Sequence, residues 1–283
     1  MNEKPVLAFV FSLFIVILTA AVTYMGLFIP EIYGDRATEL VLSLQARDTV
    51  LLILVVPLLL VTACLALRKS RRAYLAWLGI LAYLSYTYAG YSFGLANNPL
   101  FLIYVIIFSL SLFSLVLNLN RLNIEAVPRW FSPKTPVGGV ALWTTVSGLT
   151  VGAIWLRQVL PGLINVQNTR ILTLGVDPGL AIPALDLGLV APLAVFTGIW
   201  LWKRRAWGYT FACLILFQTI AIGLNHLSYE WWLSQRGTVS DSVQLLIYGG
   251  LVMIPLLLVI TFLRNLREEI LKNNSDRSTV SYF

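Results

Sequence analysis

Eight long apolar runs in this chain are separated by connections whose basic residues alternate between crowded and sparse. Lys4 precedes the first run. Arg68, Lys69, Arg71 and Arg72 follow the second, Arg121, Arg129 and Lys134 the fourth, and Lys203, Arg204 and Arg205 the sixth. Arg264, Arg267, Lys272 and Arg277 follow the eighth. These connections hold all but five of the 20 Lys and Arg residues; the exceptions are Arg36, Arg47, Arg157, Arg170 and Arg236. A Lys/Arg excess in alternate short loops orients membrane helices, with the basic loops on the cytoplasmic side. The expectation is an all-α polytopic membrane protein of the cell (plasma) membrane, of prokaryotic type, with both termini in the cytoplasm.

A spanning helix needs about 20 consecutive apolar residues. The runs that meet or approach this are 5–29, 48–67, 73–94, 100–118, 137–160, 187–202, 208–228 and 243–263. The first is longer than a signal-peptide apolar core and reads as a retained helix. Composition agrees with a lipid environment: 58% of residues are hydrophobic, 12% are charged, and mean hydropathy is +0.82, whereas soluble domains are about 25% charged. The net charge of +7 is explained by orientation beside anionic lipid headgroups. Nucleic acid is not an expected partner; the bilayer is. The two cysteines, Cys64 and Cys213, lie in separate apolar runs and supply neither a disulfide framework nor a redox pair. The fifth run, dotted with Gly139, Thr144, Thr145, Ser147, Gly148, Thr150 and Gly152, is expected to be buried among other helices, because small residues allow close approach. The segment Ala37 to Ala46 reads as a short interfacial helix outside the second run. Trp130 and Phe131 read as interfacial anchors, as do Trp231 and Trp232. Asp177-Pro178-Gly179 marks a turn in the long connection 161–185. Asn273-Asn274-Ser275 matches a glycosylation acceptor but falls on the expected cytoplasmic side.

The chain resembles itself. Leu18 to Pro30 aligns with Leu149 to Pro161, Val56-Pro57-Leu58 with Ala191-Pro192-Leu193, Arg71-Arg72-Ala73-Tyr74 with Arg204-Arg205-Ala206-Trp207, and Leu102-Ile103-Tyr104 with Leu246-Ile247-Tyr248. The jump in offset at the last match implies an insertion, placed at 229–240. Two four-helix repeats follow: residues 1–120 and 137–265, joined by a cytoplasmic linker 121–136 and ending in a cytoplasmic tail 266–283. An even number of spans returns the chain to its starting side, so the repeats have parallel orientation, as in transporters whose halves are related by an axis along the membrane normal.

Ionisable residues in apolar runs are costly and are functional candidates. Arg47 and Asp48 begin the second run and Asp186 precedes the sixth, where an acid in a first helical turn also serves as a cap. Gln218, Asn225 and Tyr229 share one face of the seventh run, with His226 and Glu230 adjacent; amides facing lipid would have no partners. The third run carries Tyr83, Tyr86, Tyr88, Tyr91 and Phe93, of which at least one tyrosine must point inward and find a hydroxyl partner. One histidine with scattered carboxylates is a thin metal set. No phosphate loop, nucleophile elbow, haem ligand pair or membrane lysine is present, and no cofactor is expected.

No motif attaches the chain to a named family. The leading reading is a non-enzymatic binding or transport protein with an outward-facing polar pocket between the repeats, lined by Arg47, Asp48, Tyr86, Asp186, Asn225 and His226 and holding a small solute or ion. One alternative is a membrane-embedded enzyme acting on a lipid or isoprenoid at the outer leaflet, with Asp186 or Glu230 and His226 as acid and base; this requires a hydrogen bond between His226 and a carboxylate, direct or through one water. The other is a non-catalytic accessory or assembly protein with a dry interior. Substrate and oligomeric state are not encoded in any motif.

Overall fold

The computed structural model describes residues 5–34, 36–95, 98–164, 181–238 and 241–267. Among them are eight long helices: α1 Val6–Phe28, α2 Thr38–Leu67, α3 Arg71–Gly94, α4 Phe101–Arg121, α5 Val137–Ile164, α6 Ala181–Trp202, α7 Ala206–Ser234 and α8 Ser242–Arg264. Seven are long and apolar enough to cross a membrane; α3 is the exception. The chain is therefore a multi-pass helical membrane protein. Helix α3 has the length but not the apolarity, because it carries tyrosines, Ser85 and Ser92 instead of aliphatics. It occupies the centre, buried from Ala73 to Ser92 at every position but Ala82 and Tyr86. Leu246, Ile53 and Leu102 point away from the bundle, as a lipid-facing surface requires.

Neighbour relations recur in the two halves. Helices α1–α2, α2–α3, α3–α4 and α4–α1 pack together, and so do α5–α6, α6–α7, α7–α8 and α8–α5. The halves meet chiefly where α7 packs on α3 and on α2. Local geometry recurs too. Helix α2 contains one π turn, Leu51–Val55, and α6 contains one at Asp186–Val190. In each, a backbone N–H reaches the carbonyl five residues back, Val56 to Leu51 and Ala191 to Asp186. The cause lies in Pro57 and Pro192 just beyond: proline has no N–H and crowds the preceding turn, and a widened turn absorbs the conflict. Both helices then end alike. Lys69 (φ 67°) and Arg204 (φ 52°) are left-handed, and the next amides, of Ser70 and Arg205, bond back to Leu65 and Trp200 at 3.2 and 2.8 Å. This closing turn normally uses glycine.

Several expectations need correction. Ala37 to Ala46 is not a separate interfacial helix. Thr38 begins one continuous helix through Leu67, so Arg47 and Asp48 lie well inside α2. Asp186 likewise lies within α6, one turn past its start. Neither acid caps a helix; among the described residues, caps with side-chain bonds are Ser70, accepting from Ala73, and Asp241, accepting from Val243. The first half of the segment 229–240 is helix, since α7 continues to Ser234. Helix α5 is not central. Its small-residue face packs on α6, but Leu142, Val146 and Leu149 are exposed.

Trp130 and Phe131 are buried rather than interfacial. Phe131 packs on Phe262 and Tyr209 with ring centres 4.5 and 5.0 Å away, and Arg71 lies 5.0 Å over the Trp130 ring. A lone antiparallel bridge joins Phe131 to Leu266, and Arg71 and Arg72 donate to the Arg267 and Leu266 carbonyls, each at 3.0 Å. The basic connections are thereby tied together at one end of the bundle. The Asp177-Pro178-Gly179 turn and Asn273 lie outside the described residues.

The α5–α6 contact is backbone against backbone. A Cβ at Gly148 would lie 2.7 Å from the Ala191 carbonyl oxygen, and one at Gly198 would lie 2.7 Å from that of Ala141. Gly148→Leu and Gly198→Leu should each destabilise the protein by about 1–3 kcal/mol or more through overpacking. Gly249→Leu, at a site with open space, should be tolerated. Thermal unfolding of the detergent-solubilised variants checks the contrast.

Candidate functional site

At the end of the bundle away from the basic connections, a cavity of about 380 Å³ opens between the halves. Helix α2 contributes Glu39, Ser43 and Arg47, spaced by four and so on one face. Helix α3 contributes Tyr86 and Thr87, and α7 contributes Ile222, Asn225, His226 and Tyr229. Trp155 of α5 and Ile182 and Asp186 of α6 complete the wall. Of the six residues singled out from the sequence, Arg47, Tyr86, Asp186, Asn225 and His226 line this cavity; Asp48 does not.

Asp48 is 1% exposed and faces the first half. Its carboxylate accepts hydrogen bonds from the hydroxyls of Tyr33 and, at 3.2 Å, of Tyr91. Tyr33 sits in the turn between α1 and α2. Burial above all, then the neighbouring Tyr91 and Asp48, holds its phenol well above the usual range, so it remains a proton donor at ordinary pH. Gly26 makes room for this pair, since a Cβ there would meet Asp48 and Tyr33. Tyr91 also links the buried acid to the cavity, because the Arg47 guanidinium lies 5.4 Å over its ring, within cation–π range. Tyr88, Tyr91 and Tyr104 pack ring on ring behind it.

Asp186 is 7% exposed. Trp155 Nε1 donates to its Oδ2 at 2.7 Å, and Tyr86 lies beside it. Its Oδ1 is buried without a partner. Arg47 makes neither a hydrogen bond nor an ion pair among the described residues. A cation and an anion from different halves therefore face one cavity without touching.

The α7 stripe resolves into distinct roles. Asn225 Nδ2 donates to the Tyr83 hydroxyl at 3.1 Å, joining α7 to α3. Gln218 is buried with its Nε2 unpartnered. His226 stacks on Tyr248 of α8, with ring centres 4.5 Å apart and planes 7° from parallel. Among the described residues no direct hydrogen bond joins it to Asp186 or Glu230. Glu230 is buried against the bundle outside the cavity. Trp232 donates to Thr49 at 3.1 Å, and Trp231 is exposed.

Sequence reasoning missed Glu39, Ser43, Trp155 and Tyr33. The first two were hidden by starting the second helix at residue 48; with α2 begun at Thr38, the spacing 39-43-47 marks a polar face. Trp155 had a weaker signal, an indole N–H in an apolar run that needs an acceptor. Tyr33 had none, because its role depends on how the α1–α2 turn folds back. Compared with protein-family models, curated proteins and solved structures, the chain matches none.

A hydrogen bond to a charged group contributes about 1.5–3 kcal/mol, and orphaning a buried partner costs at least as much. Tyr33→Phe and Tyr91→Phe should each destabilise by about that amount. In a double-mutant cycle with Asp48→Asn, each should show a coupling of about 0.5–3 kcal/mol, read by chemical or thermal unfolding in detergent.

Proposed function

We propose that this protein binds a small polar solute in the cavity between its halves, in a non-enzymatic binding or transport role. The observation that carries this reading is the pairing of unmatched groups: Arg47 and Asp186 line one cavity from different halves, unpaired, with Asp186 Oδ1 left without a donor. Isolated charges in a low-dielectric interior are strongly unfavourable. A ligand that reaches both groups supplies what the protein omits. The cavity volume falls at the small end of the roughly 300–1,000 Å³ typical of small-molecule sites.

The recurrence of neighbour relations, π turns and left-handed closing residues supports reading the chain as two four-helix repeats in parallel orientation, with α3 as the eighth span. A site between repeats is where transporters of this architecture hold their cargo. The Lys/Arg pattern supports an outward-facing cavity and cytoplasmic termini. The enzyme reading finds less support, because the His226 ring is engaged with Tyr248 and lacks a direct carboxylate partner.

Two experiments test these proposals. Purified protein should be stabilised against thermal unfolding by at least one member of a broad panel of sugars, polyols, carboxylates, amines, amino acids and inorganic ions. A ligand at a hundred times its Kd contributes about 2.7 kcal/mol. That shift should be lost in Arg47→Gln and Asp186→Asn; a panel without effect overturns the solute-site reading. For topology, in a background lacking Cys64 and Cys213, a cysteine at Lys203 should react with an impermeant maleimide only from the cytoplasmic side. A cysteine at Gly237 should react only from outside, and the reverse pattern overturns the orientation.

A further inference from the structure

Resting on the solute-site reading above, we infer that the ligand is a small zwitterion, with an ammonium held at Asp186 and an anionic group held at Arg47. The two charges have opposite sign and open on the same small cavity, yet they do not pair with each other. A neutral solute can hydrogen-bond to both groups but brings a countercharge to neither. A simple anion would match Arg47 and add a second negative charge near Asp186, and a simple cation would do the converse. A molecule bearing both signs meets Arg47 and Asp186 together without placing like charges side by side; Glu39, the third charged residue of the wall, is exposed.

The surroundings of each group agree. Asp186 is fixed by the Trp155 indole through Oδ2, which leaves Oδ1 as the acceptor for an incoming N–H. Arg47 rests over the Tyr91 ring. That contact holds the flat guanidinium while leaving its donors for a carboxylate, which a guanidinium binds through two parallel bonds. Tyr91 is itself positioned by Asp48, which ties the buried carboxylate to the ligand site although it lies outside it. Ile182 and Ile222 also line the cavity, an apolar surface suited to a hydrocarbon portion. The class is thus an amino acid or a related amino-carboxylate.

Binding to the purified full-length protein should be measured by titration calorimetry for L-leucine, β-alanine and γ-aminobutyrate, which differ in charge spacing. Each is compared with the amine and the carboxylate that lack one charge: isoamylamine and isocaproate, ethylamine and propionate, propylamine and butyrate. At least one zwitterion should bind tighter than both of its singly charged analogues by about tenfold or more, the size of one charge-assisted hydrogen bond. In Arg47→Gln the advantage over the amine should vanish, and in Asp186→Asn the advantage over the carboxylate. Where a variant does not fold, the wild-type series alone decides. Singly charged or neutral solutes that bind as tightly as every zwitterion overturn this inference while the solute-site reading stands. A protein that binds none of these and none of the broader panel overturns both.

Discussion

Charge placed where water is scarce governs the arrangement at the centre of this protein. Arg47, Asp48 and Asp186 all lie inside long apolar helices, where an unmet charge is costly. Asp48 is met by two tyrosine hydroxyls from the first half. That requirement accounts for Gly26, which clears space, for Tyr33, which folds over from the turn, and for the tyrosine packing on α3 and α4. Arg47 is met only in part, by an aromatic face, and Asp186 only in part, by one indole with the Tyr86 hydroxyl beside it. The degree of satisfaction separates an acid whose partners the protein supplies from two groups whose partners are incomplete, though all three are charged residues in helical runs.

The helices around these groups are shaped by a second local conflict. Proline in a membrane helix disturbs the hydrogen-bond ladder. Pro57 and Pro192 each follow a π turn, and one of those turns begins with Asp186 itself. Its position at the start of a widened turn, with Trp155 of α5 alongside, puts the carboxylate on the cavity wall. The close α5–α6 packing that Gly148 and Gly198 permit brings that tryptophan within reach.

Legibility of the fold depended on how strongly one property dominated each segment. Runs with little but aliphatics, such as α1, α4 and α8, were placed within a few residues. The boundary of α2 was misplaced by ten, because Arg47 and Asp48 look like the end of a membrane segment until partners are found for them. Helix α5 was read as central from its small residues. Those residues report one close contact, with α6, and say nothing about the opposite face. The site was legible in part for a related reason. Asn225 and His226 stand out as polar groups on an apolar helix, whereas Ser43 and Glu39 blend into a stretch that reads as a loop.

What the sequence alone determined is the succession of apolar runs and their basic connections, because hydropathy and charge need no knowledge of neighbours. Tertiary structure alone decided which charges are satisfied. Asp48 and Arg47 are adjacent in sequence, but a helix turns about 100° per residue. That rotation sends one side chain toward Tyr33 and Tyr91 and the other into the cavity opposite Asp186. The packing of α7 against α2 and α3 then determines that the cavity exists at all.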